Sequence, residues 1–341
     1  MDVLTFSELF IRIVVGTLLI AAFGILFGLF YKGIDRKISA HMQGRIGPPL
    51  RQPFRDVVKL FEKENIVPDH AIPWLFNLIP LIGLIVTLSI LVYLPLGGFP
   101  PLFSSAGDLI VVLYLLILPS LALVIGGFSS GSPYAIVGAQ REMATMIAYE
   151  FPLAILIITI AWNLLQKGVP SVFSFTAIAS QPVWNQVTGP LGFIGFGILL
   201  VVLLLVTPAE LSKIPFDSPE AETELAGGLL VEYSGRNLAM YYLTDGVKTV
   251  VMASIVVALF FPYNLSPYLS LGTYPAMVID VLFYLFKVFI IILFSVTLIR
   301  VAIARLKIDQ IVYTYWIPLT LASLVGLILV MWDHTIVQWL G

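Results

Sequence analysis

Acidic side chains are concentrated in one stretch of this sequence, between Pro208 and Gly235. The stretch contains six acids and a single lysine, Lys213. The acids are Glu210, Asp217, Glu220, Glu222, Glu224 and Glu232. Carboxylates held close together repel one another, so some of them are expected to have a raised pKa and to hold a proton near neutral pH. The composition of this stretch therefore favours a proton relay.

The same stretch carries a helix-start pattern at Ser218-Pro219-Glu220. Serine caps helices, proline suits the first helical position, and an acid is stabilised near the positive end of the helix dipole. A helix continuing from there would place Asp217, Glu220 and Glu224 on one face, at positions i, i+3 and i+7. Helix capping accounts only for the residues of the first helical turn. A proton relay would account for all six acids of the stretch.

Further charged residues lie within apolar runs. Glu150 follows the pair Arg141-Glu142 by eight residues, about 12 Å along a helix. A carboxyl group inside the apolar layer is costly and by default marks a proton or ion path. The preceding segment 126–134 is rich in glycine and serine, which also suits a simple helix terminator.

Four intramembrane charges come later in the chain. Asp245 and Lys248 are spaced i, i+3, which allows a local ion pair. Asp280 and Lys287 are two turns apart, too far for direct contact along a straight helix.

These residues belong to a chain that is 59% hydrophobic and 11% charged, whereas soluble domains carry about 25% charged residues. We therefore predict an all-α polytopic membrane protein that forms a single transmembrane domain over residues 1–341. Apolar stretches of spanning length predict eight transmembrane helices, near 9–31, 72–95, 108–126, 143–165, 191–207, 241–263, 276–304 and 311–331.

Basic residues predict the orientation of these spans. The segment 32–71 holds eight lysines and arginines, whereas the loops on the opposite side contribute Lys167. By the positive-inside rule, the cytoplasmic loops are predicted near 32–71, 127–142, 208–240 and 305–310, with both termini outside. The expected location is the plasma membrane.

Some chemistry is excluded by composition. The sequence has no cysteine and three histidines, so a disulfide, a zinc–thiolate site and an iron–sulfur cluster are excluded in this chain. We expect no metal, flavin or haem and no redox chemistry within it. The net charge of −2 and the lack of a basic block argue against nucleic acid as a partner.

The first charged loop contains a rigid corner, Gly47-Pro48-Pro49, that stops any helix. After the corner, apolar residues recur at helical spacing opposite a charged face. They are Phe54, Val57, Val58 and Phe61. Two interpretations stay open: an interfacial helix lying on lipid, or a docking platform for a cytoplasmic partner.

Three motifs follow one another along the chain. They are Asp35-Arg36-Lys37 with Gln43-Gly44-Arg45-Ile46-Gly47-Pro48, then Arg141 with Tyr149-Glu150, then the acidic segment 215–224 with Glu232-Tyr233-Ser234-Gly235. Together they resemble the quinone-site membrane subunit of respiratory complex I, called subunit 1 or, in bacteria, the H subunit. The resemblance covers nearly the whole chain, including its eight spans.

Two segments, 44–53 and 127–135, are more similar to the homologous subunit of membrane-bound nickel–iron hydrogenases and related energy-converting complexes. Complex I typically reads Arg-Gly-Pro-Asn at the first corner, whereas this chain reads Gly47-Pro48-Pro49. These relatives oxidise ferredoxin and reduce protons, or sulfur compounds in one branch, without a quinone. The similarity therefore argues against a quinone site here.

The resemblance implies a subunit of an oxidoreductase that anchors a peripheral redox arm and couples electron transport to proton or sodium translocation. Its expected partners are lipid, antiporter-like and small membrane subunits, and hydrophilic subunits holding iron–sulfur clusters and a hydrogenase-like nickel–iron centre. The implied ion path is Glu150, Glu210, Asp217, Glu220, Glu222, Glu224 and Asp245, to which Glu142 is added from its location. The residues predicted to dock the arm are Arg36, Arg45, Arg141 and Glu232.

Two other functions compete with this one. The first is the quinone-site subunit of NADH-quinone oxidoreductase, the complex I version of the same role. The second is a free-standing ion channel or carrier, which would explain the intramembrane acids but not the charged cytoplasmic face. The sequence shows no internal repeat, and this weakens the carrier hypothesis because many carriers are built from two related halves.

Overall fold

The computed structural model describes residues 6–187, 189–269 and 272–340, and this part of the chain is helical, with no β-strand. Its long helices are α1 (Phe6–Met42), α3 (Pro73–Tyr93), α4 (Asp108–Ser129), α5 (Pro133–Gln166), α8 (Pro190–Glu210), α10 (Gly235–Phe260), α11 (Thr273–Ile291) and α14 (Thr320–Leu340). The shorter ones are α2 (Gln52–Glu62), α6 (Phe175–Ser180), α7 (Val183–Gln186), α9 (Glu222–Leu225), α12 (Ile299–Ala302) and α13 (Ile308–Thr314).

Eight helical segments of the described chain are long and apolar enough to cross a membrane, which confirms the predicted number of spans. Two of them extend further than predicted. Helix α1 continues to Met42 because no proline interrupts it, and α5 already begins at Pro133, a residue suited to the first helical turn. The segments 32–42 and 133–142 are therefore helical ends rather than loops. The cytoplasmic side of these ends stays a prediction from the basic residues.

Helix α10 forms the centre of the bundle. It packs against α1, α3, α8 and α11, and nearly all residues of its apolar stretch are buried. Small and β-branched residues such as Val247, Val251 and Ala253 let the neighbouring helices approach it closely. Because α10 is surrounded on every side, the charged residues that it carries must find their partners inside the protein.

Two helices contain a turn of π-helix, at Ile292–Leu298 and at Tyr315–Leu319. Pro318 lies within the second turn and removes a backbone donor there. Both turns face α8: Ser295 Oγ donates to the carbonyl of Leu204 and Tyr315 Oη to that of Leu205, each at 2.6 Å. Such turns often occur at functional sites.

The connecting segments at one end of the bundle contact each other. The backbone N–H of Ile66 donates to Ser234 Oγ (3.0 Å), and that of Leu306 donates to the carbonyl of Pro215 (3.0 Å). Helix α2 lies at this end, and its predicted apolar face is divided: Val57 is buried, whereas Val58 and Phe61 are exposed. The exposed half is available to lipid or to a partner, so both interpretations of this helix stay open.

Candidate functional site

A buried ion pair lies where α8 and α10 meet. Lys248 Nζ is 2.8 Å from Glu210 Oε1, and the two side chains are 6% and 2% exposed. Lys248 also donates to Ser120 Oγ of α4 at 2.7 Å. The local ion pair that the spacing of Asp245 and Lys248 allows does not form among the described residues, because Lys248 points toward α4 and α8.

Glu142 is buried beside this pair. Its Oε2 accepts a hydrogen bond from Ser212 Oγ (3.1 Å), whereas Oε1 has no hydrogen-bond partner in the described part of the chain. Ser212 adopts a positive φ of 47°, which non-glycine residues rarely do. The strained backbone turns the Ser212 hydroxyl toward the acid, an arrangement typical of functional sites.

Asp245 is held between two lysines from different segments. Lys213 Nζ lies 2.6 Å from one carboxylate oxygen, and Lys32 Nζ lies 2.6 Å from the other. The Lys32 ammonium also lies over the ring of Tyr242, 3.2 Å from its centroid. Because two ammonium groups contact a single carboxylate, one positive charge remains unbalanced. It lies beside the neighbouring acids.

Glu220 is one of those neighbouring acids, and it lies in the segment that joins α8 to α10. Burial raises its pKa to about 7, and the Lys213 ammonium opposes part of that rise. Burial also raises the pKa of Asp217, against the effect of Arg305, whose guanidinium lies 2.7 Å away. Glu220 therefore exchanges a proton near neutral pH.

The acidic segment does not form the continuous helix that the sequence predicts. It makes a short 3-10 turn at Ser218–Glu220, an extended residue at Ala221 and one α-turn at Glu222–Leu225. Asp217 and Glu224 instead turn to separate arginines, Arg305 and Arg141. Arg141 lies 2.5 Å from Glu224 and donates to the Ser218 carbonyl (3.2 Å), so Arg141 of α5 and Arg305 of the segment between α12 and α13 fix the path of this segment.

These groups line two adjoining polar cavities of about 370 and 200 Å³, here called the charged chamber. The larger cavity borders Glu210, Lys248 and Asp245, and the smaller one borders Asp35, Asp217 and Arg305. Their shared lining residues are Lys32, Arg36, Ser212, Lys213, Glu220, Glu222 and Arg300. The volume and the charged residues in the walls suit several water molecules, which could bridge the acids that line the chamber.

The structure therefore brings together part of the predicted site. Glu142, Glu210, Asp217, Glu220, Glu222, Asp245 and Lys248 lie in or beside the charged chamber. Glu150 is half-buried on α5, and its Oε1 has no partner among the described residues. Glu224 and Glu232 lie at the edge of the bundle. Asp280 and Lys287 lie at its opposite end.

The residues predicted to dock the redox arm have different partners in the structure. Arg36 pairs with Asp56 at 3.0 Å, which ties α1 to α2. Arg45 is exposed and donates to Gln43. Arg36 and Arg45 border one cavity of about 350 Å³. Their use in docking stays a prediction.

Several chamber residues were missed in the sequence. They are Lys32, Asp35, Ser120, Ser212, Lys213, Arg300 and Arg305. Asp35 accepts hydrogen bonds from Thr297 Oγ1 (2.8 Å) and Arg300 (2.9 Å), both positioned by the first π-turn and the residues after it. Lys32 carried a signal, since it ends an apolar run of α1, but a lysine there also suits the positive-inside pattern.

The fold and the chamber define a multi-pass helical membrane protein with an ionisable interior. Comparison with known proteins assigns its family: a family profile described as NADH dehydrogenase matches residues 15–331. The chain belongs to this family, in the branch formed by subunit 1 and its bacterial counterpart, the H subunit. Among the described residues, no cluster of His, Asp or Glu is arranged to hold a metal ion.

Individual relatives come from several respiratory complexes. The chain is 32% identical to the H subunit of NADH-quinone oxidoreductase from Syntrophotalea carbinolica, covering 85% of this chain and 87% of that protein. It is 33% identical to hydrogenase-4 component C of Escherichia coli, over 86% and 89% of the two chains.

A solved structure resembles the whole bundle. A chain of the membrane-bound sulfane sulfur reductase, an archaeal respiratory membrane complex, matches with a TM-score of 0.79 at 28% identity, over 94% of this chain and 99% of that one. This chain is therefore a membrane subunit of a complex I-like or hydrogenase-like energy-converting complex.

Proposed function

We propose that this chain is the non-redox anchor and coupling subunit of a hydrogenase-type, ferredoxin-oxidising respiratory complex. Its peripheral end binds the hydrophilic redox arm, and its buried acids pass protons, or charge that drives sodium movement, toward antiporter-like membrane subunits. Two relationships support the hydrogenase-type role: the 33% identity to hydrogenase-4 component C and the fold of the sulfane sulfur reductase chain.

The observation that carries the proposal is the continuity of ionisable groups. The charged chamber begins at Glu220, in the segment that joins α8 to α10, and reaches Asp245 through Lys213. It ends at the Glu210–Lys248 pair, deep between α8 and α10. A change of charge at the redox arm can shift the proton on Glu220, and the following pairs can respond in sequence, because each interaction is strengthened by the poorly screened interior.

A quinone site is the second candidate, favoured by the 32% identity to an NADH-quinone oxidoreductase subunit. The charged chamber argues against it. Its walls mix apolar and aromatic residues with many lysines, arginines and acids, whereas the apolar ring of a quinone needs walls with only a few polar groups. The third candidate, a free-standing channel or carrier, leaves unexplained the arginines that fix the acidic segment at the bundle's end.

The electron donor distinguishes these candidates. The complex is purified through a tag on this chain and assayed with reduced ferredoxin, and separately with NADH plus a quinone. The proposal predicts co-purified iron–sulfur subunits and activity with ferredoxin. Activity with NADH and quinone alone would support the second candidate, and a chain that purifies without other subunits would support the third.

A further inference from the structure

Lys287, which forms no direct ion pair within the described residues, lies at the end of the bundle opposite the charged chamber. Lys287 Nζ, on α11, donates to the carbonyl oxygens of Phe261 (2.8 Å) and Tyr263 (2.7 Å) and lies 4.9 Å from the ring centroid of Phe283. An ammonium group has three N–H donors. Among the described residues the third donor has no hydrogen-bond acceptor, and no carboxylate forms an ion pair with Lys287.

Asp280, the acid on the same helix as Lys287, already accepts three hydrogen bonds from other groups. Asp280 accepts hydrogen bonds from the backbone N–H groups of Leu265 (3.0 Å) and Ser266 (2.8 Å) and from Ser266 Oγ (2.6 Å). It lies two turns from Lys287, about 10 Å along the helix. Asp280 therefore closes the loop after α10, and the charge of Lys287 remains available to an external anion.

One cavity borders this lysine, and a second cavity adjoins the first. Lys287, Asn264 and Thr176 border a cavity of about 280 Å³. Beside it, an apolar groove of about 440 Å³ runs between α1 and α11, bordered by Leu19 and Val281 among others. The two cavities share the lining residues Phe99, Pro100, Pro101 and Tyr284. Leu19 is 65% exposed, so the groove opens sideways toward the membrane.

We propose that the two cavities together bind one phospholipid. Its phosphodiester accepts the free N–H of Lys287, and one acyl chain lies in the groove between α1 and α11. The charge favours an anion, since Asp280 acts on Lys287 only without direct contact, and an intramembrane cation that lacks an ion-paired partner is costly. The adjoining apolar groove favours hydrocarbon and therefore a membrane lipid over free phosphate. This site is independent of the coupling role.

The size of the groove favours an acyl chain over a transmembrane helix as its occupant. A spanning helix, about 10–12 Å wide and about 30 Å long, could cover a groove of about 440 Å³ but not enter it. A single acyl chain is thin enough to enter it. The lipid would fill the gap between α1 and α11 at this end and hold the 94–102 segment against them.

Photolabelling of the assembled complex tests the site. Proteoliposomes contain phosphatidylglycerol with a diazirine in its acyl chain, and adducts are measured on peptides from 94–102 and from α11. The proposal predicts labelling of both peptides, at least a threefold loss in Lys287→Met and retention in Lys287→Arg. Lys167→Met, at the same end but exposed, serves as the matched control. Unlabelled phosphatidylglycerol competes, whereas inorganic phosphate and diacylglycerol do not.

A second variant separates lipid loss from misfolding. Leu19→Trp fills the groove and leaves Lys287 intact, so labelling falls while assembly is retained. Unchanged labelling in both Lys287→Met and Leu19→Trp would overturn the proposal. Absence of label from the wild-type complex would also overturn it, since a partner subunit would then cover the groove.

Discussion

The ammonium of Lys248 lies 2.8 Å from the carboxylate of Glu210, and the two residues come from different helices, α10 and α8. Both side chains are almost fully buried at the wall of the charged chamber, so each charge depends mainly on the other, and Lys248 also donates to the hydroxyl of Ser120. Pairs of this kind cost free energy to bury and are strongly destabilising when one partner is removed. Loss of either partner should therefore destabilise the protein. A charge added nearby should also act strongly on the pair, because the pair is buried.

Removing one partner of this pair should disrupt assembly. In Glu210→Gln, Lys248 keeps a buried and unpaired charge, which costs about 3–5 kcal/mol. The yield of intact complex should fall, as measured by native gel after detergent extraction. The double variant Glu210→Gln/Lys248→Met removes both charges and should recover assembly. Glu224→Gln is the control, because the pair with Arg141 is half-exposed and worth about 0–1 kcal/mol.

Glu150 should affect ion movement without affecting assembly. Glutamine keeps the volume and hydrogen-bonding capacity of this half-buried acid but cannot exchange a proton near neutral pH. Acceptor reduction by Glu150→Gln should stay within about twofold of wild type, with fewer ions taken up per electron in vesicles. Normal uptake per electron would remove Glu150 from the path, and lost assembly would show a structural role.

Glu220 should make stability depend on pH. Its folded pKa is about 7, above the unfolded value of 4.5, so the folded state binds more protons between these values. The free energy of unfolding contributed by this group therefore falls as pH rises from about 4.5 to about 7. Relative to wild type, Glu220→Gln should become more stable across that window. A difference in Tm between the two proteins that is constant with pH would contradict the shifted pKa.

Arg141 should be needed for attachment of the redox arm. It holds both Ser218 and Glu224, so Arg141→Met frees the segment between α8 and α10. The hydrophilic subunits should dissociate at lower salt while the membrane subunits stay together, as measured by sedimentation of the detergent-solubilised complex. Arg55→Gln, at an exposed position of α2, should leave attachment unchanged. Equal salt sensitivity of both variants would show that Arg141 has no special role.

The eight spans could be predicted because apolar length alone determines where a chain crosses a bilayer. The separate partners of Asp245 and Lys248 could not, because they come from α1, α8 and the 211–217 segment, which are distant in sequence. Local spacing favoured a pair between the two residues. The long-range packing of α10 decided otherwise, since Lys248 turns to α4 and α8, whereas Asp245 meets lysines of α1 and of the 211–217 segment.

The conformation of the acidic segment also could not be predicted from local sequence patterns. Its helix-start pattern at Ser218 produced a single 3-10 turn, and Glu224 and Asp217 pair with arginines from α5 and from the segment between α12 and α13. The acids of the site could nevertheless be picked out from the sequence. Glu142, Glu210 and Glu220 lie in or beside the charged chamber, whereas the proton path through them stays a prediction.

Ion uptake per electron in the double variant Glu210→Gln/Lys248→Met tests the coupling role most directly. The complex is reconstituted in sealed vesicles, and electron transfer from ferredoxin and ion uptake are measured in the same sample. Because the redox arm is untouched and the buried charges are removed together, electron transfer should persist. Ion uptake per electron should fall at least about tenfold, whereas a ratio equal to that of wild type would contradict a path through the Glu210–Lys248 pair.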